Sequence, residues 1–141
     1  MAEKPLKVFV SHAAEDTWVA RQIAAHLERC GAATFLDEAH VAVGDDWEPR
    51  IVEEAKGSDE LIVLLTPELL KVISYVWAEV GMFRLMGKRV VWALYKVTDR
   101  LLNRNPKLAG TIRKADCIQL NDIDRYFAEV ATRVSATGGK S

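Results

Sequence analysis

Glu79 stands out in this sequence of 141 residues because its surroundings are wrong for a charge. At about 100° of rotation per helical residue, Val72, Tyr75, Val76, Met82, Phe83 and Met86 all fall within about 60° of it. Its carboxylate is therefore the one charge at the centre of an apolar helix face. A carboxylate there must be paired, protonated, or open to a ligand cleft. Two roles fit: a structural group bonded to the backbone or to a basic side chain, or a site carboxylate with a perturbed pKa.

Other chemistry is sparse. The histidines His12, His26 and His40 share no short ligand spacing with Cys30 or Cys117, so no metal is expected. His26 reads as a helix surface residue. His12 follows an apolar run and is either a locally bonded loop residue or part of a cleft. Gly81 to Gly87-Lys88-Arg89 has the wrong spacing and ending for a phosphate loop, and no G-x-G-x-x-G follows the first apolar run. A phospho-receiver acidic cluster is absent, because Ser11-His12 and Thr66 occupy its places.

Positioning these residues falls to alternating short apolar runs and helical patterns. Lys7–Val10, Ala33–Leu36, Leu61–Leu65, Val90–Tyr95 and Cys117–Leu120 read as strands. Asp16 is placed to cap a helix over 17–30 that Gly31 stops. Further helices are expected near 47–56, from Thr66-Pro67 to Met86 with Ser74 as a second cap, near 107–114, and from Asp122 to about Val134. The tail from Thr137 reads as disordered, which gives one domain over 1–134 and a tail over 135–141. Five strand–helix alternations imply a flavodoxin-like α/β fold: a parallel sheet of order 2-1-3-4-5 with helices on both faces. Ligands of such sheets bind beyond the carboxyl ends of the strands. That points to Ser11-His12, Asp37-Glu38 and Thr66-Pro67.

Composition agrees with a packed domain, with 50% hydrophobic and 28% charged residues. The longest apolar run, Leu61–Leu65, is five residues and no apolar segment opens the chain, so a cytoplasmic protein without a membrane span is expected. The net charge of −1 hides a split. Residues 1–83 hold seven Lys/Arg against fifteen Asp/Glu, whereas 84–114 hold nine against Asp99 alone. Such a chain can attract copies of itself or hold an anion. Few aromatics interleave the basic stretch, which argues against nucleic acid. Trp77 on the cationic side of the third helix, and Trp47 after Gly44-Asp45-Asp46, are each either packing residues or contact residues.

Four segments in order resemble the TIR (Toll/interleukin-receptor) family. Lys7-Val8-Phe9-Val10-Ser11-His12 is similar to its first box. Phe35-Leu36-Asp37-Glu38 with Val43-Gly44-Asp45-Asp46-Trp47 resembles the second strand and the BB loop of bacterial members. Leu61–Pro67 is similar to the third strand. Ser74-Tyr75-Val76-Trp77-Ala78-Glu79 and Gly87-Lys88-Arg89 resemble the glutamate segment and the strand entry after it. Val43 stands where many members have Pro, and Tyr75 where Trp is usual.

The resemblance implies an NAD⁺-consuming enzyme of bacterial antiphage immunity with Glu79 catalytic. NAD⁺ is then substrate, not cofactor, and the product is ADP-ribose or a cyclic isomer. Ser11, His12, Asp37, Tyr75 and Trp47 are the expected substrate-binding residues, with Tyr75 stacking on nicotinamide. It further implies self-association through the BB loop (residues 38–47) and the basic half, and a separate sensor or effector protein. The competing reading is a non-catalytic TIR module that binds a partner.

Overall fold

Val8, Phe9, Val10 and the whole run Leu61–Leu65 are fully buried, as central strands covered on both faces must be. The structure is a computed structural model. It describes residues 5–37, 49–71, 73–112 and 116–138, without the side chains of 74, 75, 109, 137 and 138. Strand β1 is Lys7–Ser11, β2 Ala33–Leu36, β3 Glu60–Leu65, β4 Arg89–Leu94 and β5 Cys117–Gln119. They form one parallel sheet in the order β2-β1-β3-β4-β5, the order expected from the alternation.

Side chains alternate between the faces of the sheet, so each strand feeds two cores. On one face Phe9, Leu61, Val63 and Trp92 pack against Val76, Val80 and Phe83 of helix α4 (Ile73–Leu85). On the other, Val8, Val10, Ile62 and Leu64 meet helix α1 (Thr17–Arg29) and the C-terminal helix. Burying each such side chain contributes about 1.5–3 kcal/mol. Helix α2 is Pro49–Gly57 and α3 is Pro67–Leu70. Helices α5 (Asp99–Asn103) and α6 (Pro106–Thr111) follow β4, and α7 is Asp124–Gly138. Gly31 ends α1 at φ +98°, where a Cβ would lie 2.8 Å from Val134 Cγ1, so only glycine fits.

Several local expectations are corrected. Asp16 precedes α1 but gives no side-chain cap, because its carboxylate accepts the Thr66 hydroxyl instead. The stretch after β3 is two helices, and α4 begins at Ile73, which puts Ser74 inside the helix and not at a cap. Helix α5, where the sequence pattern predicts none, is capped by Thr98 Oγ1 accepting the Leu101 N–H at 3.2 Å. The helix expected to reach 114 ends at Thr111. Asp122 lies in a 3₁₀ turn (Leu120–Asp122), and α7 starts after it and runs beyond Val134 to Gly138. Among the described residues no helix is long and apolar enough to cross a membrane.

Candidate active site

The site grows from the β1–β2 register. Val10 pairs with Leu36, and the Asp37 N–H donates to the Val10 carbonyl at 3.3 Å, so Asp37 comes beside Ser11 at the strand ends. Phe9 and Phe35, one rung earlier on each strand, touch at 5.0 Å between ring centroids on the α4 side of the sheet. Two residues on, Ser11 and Asp37 return to that same side. There Ser11 Oγ donates to Glu79 Oε1 at 2.5 Å. Ser11, Asp37 and Glu79 thus form one cluster at the carboxyl end of the sheet, the edge expected to bind ligand.

The cluster is closed to water. Glu79 is 0% exposed, Ser11 1% and Asp37 2%. Burial pushes the Glu79 carboxyl well above its ordinary value. The Ser11 hydrogen bond opposes that shift, while the charge of Asp37 and a hydrogen bond with it raise it further. Glu79 Oε2 receives no hydrogen bond from a donor among the described residues. The helix-face reading therefore holds in its essentials: the glutamate is buried among apolar residues and answers to a hydroxyl and a second carboxyl.

His12 takes the other side. Its Nε2 lies 3.3 Å from Thr17 Oγ1, whose own proton goes to the Ala14 carbonyl at 2.7 Å. Thr17 can then only accept, which fixes a proton on Nε2. Next to this pair, Thr66 Oγ1 donates to Asp16 Oδ2 at 2.5 Å and accepts the Leu69 N–H at 3.1 Å, tying the end of β3 to the start of α1. The Thr66–Asp16 link was not anticipated, since each residue reads in sequence as a helix cap.

Tyr75 lies on α4 one helical turn before Glu79, with its side chain outside the described residues; Trp47 and the segment 38–48 are outside them altogether. Trp77 packs, its indole 6.4 Å from that of Trp92 with Lys107 Nζ 5.1 Å from its ring. His26 is exposed, stacked on Phe127 at 4.9 Å. Among the described residues no group of three or more His, Cys, Asp or Glu is arranged to hold a metal.

A second polar cluster, unforeseen from sequence, sits at the opposite end of the sheet. Glu60, which opens β3, is 0% exposed and accepts from Arg133 Nη2 at 2.6 Å and from the Tyr126 hydroxyl. Arg89 and Glu129 pair beside it. The only sequence signal is a glutamate directly before the most apolar run of the chain.

These features define a doubly wound α/β domain with a buried acidic cluster at the carboxyl ends of its strands. The chain belongs to the TIR domain family, whose sequence profile matches residues 8–131. Among solved structures it is similar to the TIR domain of the Toll-related receptor TRR-2 from Hydra magnipapillata, at 19% identity and TM-score 0.59, over 89% of this chain and 94% of that one. It is also similar to the TIR domains of the activated Roq1 resistosome, which recognises the pathogen effector XopQ, at 18% identity and TM-score 0.55, over 94% and 85% of the two chains. A diflavin flavoprotein A3 from Nostoc shares the architecture at 13% identity and TM-score 0.50, over 98% and 96%. No curated protein matches the sequence.

Proposed function

We propose that the chain is an NAD⁺ nucleosidase in which Glu79 is the catalytic carboxylate. The observation that carries this reading is Glu79 itself, a fully buried carboxyl held by Ser11 at the ligand-binding edge of a TIR fold. The TIR family includes NAD⁺-cleaving members, and the segment around Glu79 resembles their glutamate segment. Nicotinamide in NAD⁺ is already a cationic leaving group, so cleavage of its bond to ribose C1′ needs no strong acid. What needs help is the oxocarbenium-like ribose, which a fixed carboxylate stabilises while accepting hydrogen bonds from the ribose hydroxyls.

Ser11 orients Glu79; His12 and Asp37 follow the strands where ribose and phosphate would rest, and Tyr75, for the nicotinamide ring, and Trp47 are further substrate-binding residues that the family resemblance implies. Water attack gives ADP-ribose, and attack by a nucleophile within the bound substrate gives a cyclic product. Because water does not reach Glu79, ribose cannot reach it either until the site opens. That closure suits an enzyme silent as a single chain and switched on by self-assembly, with a separate sensor or effector supplying context, as in antiphage immunity. Incubating assembled protein with NAD⁺ and measuring nicotinamide is the test: wild type releases it and Glu79→Gln does not. No release under any assembling condition overturns the reading.

The same closure favours one alternative, a non-catalytic module in which Glu79 is purely structural. In that case Glu79→Gln leaves both NAD⁺ levels and partner binding unchanged.

A further inference from the structure

Among the described cations of the basic stretch 84–114, only Arg89 faces carboxylates, those of Asp116 and Glu129. Arg84 and Lys88 donate to backbone carbonyls, and Lys96 and Lys107 lie over the rings of Tyr95 and Trp77. Arg100 and Arg104 have no hydrogen bond, ion pair or ring contact among the described residues. Carbonyls and ring faces orient a cation without neutralising it. The stretch therefore keeps its positive charge, and two of its cations meet in one place. That place is a cavity of about 270 Å³ between Ile73 and Trp77 of α4 and the α5–α6 junction, Arg104–Leu108. At about 100° per residue Trp77 stands about 160° around α4 from Glu79, so the cavity is on the far side of the helix from the buried acids. Trp77 is half-buried against Trp92 and holds Lys107 Nζ 5.1 Å from its ring centroid. Asn105 gives one amide N–H to the Leu101 carbonyl at 3.2 Å and keeps its other N–H and its Oδ1. No carboxylate is among the described residues that line the cavity.

We propose that this cavity binds a nucleoside monophosphate, with the phosphate between Arg104 and Lys107 and the nucleoside against Ile73, Pro106 and Leu108. Two uncompensated cations match a phosphate monoester, which carries about −1.5 to −2 at neutral pH, better than they match the single charge of a carboxylate. The guanidinium fork of Arg104 suits paired phosphate oxygens, and Lys107, held over the indole, is a positioned point charge. The apolar walls cover sugar and base carbons, while the free N–H and Oδ1 of Asn105 answer a base edge or a ribose hydroxyl. The volume falls just below the roughly 300–1,000 Å³ of pockets that enclose drug-sized ligands, which fits a mononucleotide and not a dinucleotide. The site is separate from Glu79, and the inference does not rest on the nucleosidase reading.

Titrating the isotope-labelled full chain with AMP at low salt, followed by NMR, is the test. The indole N–H resonance of Trp77, assigned through Trp77→Phe, shifts with AMP, whereas adenosine or inorganic phosphate alone needs about tenfold higher concentration or more. Arg104→Ala and Lys107→Ala each weaken AMP binding at this resonance by about tenfold, and Glu79→Gln leaves it unchanged. Arg104 has no partner to lose, so its variant decides the matter even if Lys107→Ala, deprived of its ring contact, fails to fold. An indole resonance that AMP does not move, or an unchanged affinity in Arg104→Ala, overturns the proposal. So does inorganic phosphate binding as tightly as AMP, which makes the cavity a plain anion patch. Loss of AMP binding in Glu79→Gln places the nucleotide at the buried acids and also overturns it. If light scattering shows Arg104→Ala disrupting assembly while AMP has no effect, the cations serve a second copy and the proposal fails. Retention of an RNA oligomer without any response to AMP overturns it in favour of nucleic acid. Nicotinamide release is not part of this readout, so failure of the nucleosidase reading leaves the test intact.

Discussion

Ser11 and Glu79, 68 residues apart in the chain, meet in one hydrogen bond of 2.5 Å between Ser11 Oγ and Glu79 Oε1. That bond joins the end of β1 to the middle of α4 and sets which carboxyl oxygen remains for other work. Its surroundings decide its chemistry: on the exposed surface it would be a minor contact, but in a dry corner beside Asp37 it opposes the larger upward push that burial gives the Glu79 carboxyl.

Glu79→Gln is expected to stabilise the fold increasingly as pH rises. In an unfolded chain Glu ionises near pH 4.3, whereas in the fold burial holds the Glu79 carboxyl well above that range. The unfolded state therefore binds fewer protons between the two values. Burial of the neutral group favours the native state fully below about pH 4.3, and that contribution is lost as pH rises toward the folded value. Glutamine never ionises and avoids the loss. Denaturant melts at pH 5, 6, 7 and 8 should show the variant gaining on wild type by up to about 1.4 kcal/mol per pH unit. A constant difference across that range contradicts the buried neutral acid.

Ser11→Ala should move the acid limb of nicotinamide release to higher pH. The Ser11 hydroxyl lowers the Glu79 pKa, so removing it lets burial act unopposed. Losing a hydrogen bond to a group that must carry charge costs about 1–3 kcal/mol, or roughly 5- to 150-fold in turnover at a fixed pH. A profile that stays in place or shifts to lower pH would refute the role assigned to Ser11.

Much of this site was legible in the sequence because it depends on strong local signals. The fully apolar run Leu61–Leu65 reads as a central strand, and the spacing around Glu79 puts it on an apolar face. Strand order then located the strand-end residues Ser11, Asp37 and Thr66. Partner choice was not legible. Asp16 reads as a helix cap until the fold brings Thr66 to it across 50 residues, and His12 sits one residue from Ser11 yet serves the opposite face. The Glu60–Arg133 pair spans 73 residues and leaves no periodic trace.

Arg133→Leu should destabilise the domain without altering the chemistry at Glu79. It leaves the carboxylate of Glu60 buried with the Tyr126 hydroxyl as its remaining donor. Removing one partner of a buried ion pair costs about 3–5 kcal/mol. Arg133 is about one-third exposed, so solvent already screens the pair, and a cost discounted below that range, to about 2–3 kcal/mol, is expected. Urea midpoints measure it. Because Glu60 starts β3 and the Glu79 cluster lies beyond its far end, the pH profile of the folded variant should match wild type. A changed profile would mean that the two ends of the sheet are coupled.

Raising ionic strength should weaken self-association and nicotinamide release together, if the acidic first 83 residues of one copy meet the basic 84–114 stretch of another. The structure tempers the size of this effect. Arg84 donates to the Thr111 carbonyl, Lys88 to the carbonyls of Ala55 and Lys56, and Arg89 pairs with Glu129, so part of the basic stretch is engaged within its own chain. A hydrogen-bonded side chain keeps its charge but is less able to reach a neighbour. The steepest salt dependence should therefore disappear with Arg100→Glu or Arg104→Glu rather than with Arg89→Glu, whose main effect should be on stability. Light scattering and nicotinamide release, read across the same salt series, check both halves. If salt changes neither quantity, the charge split has no part in assembly.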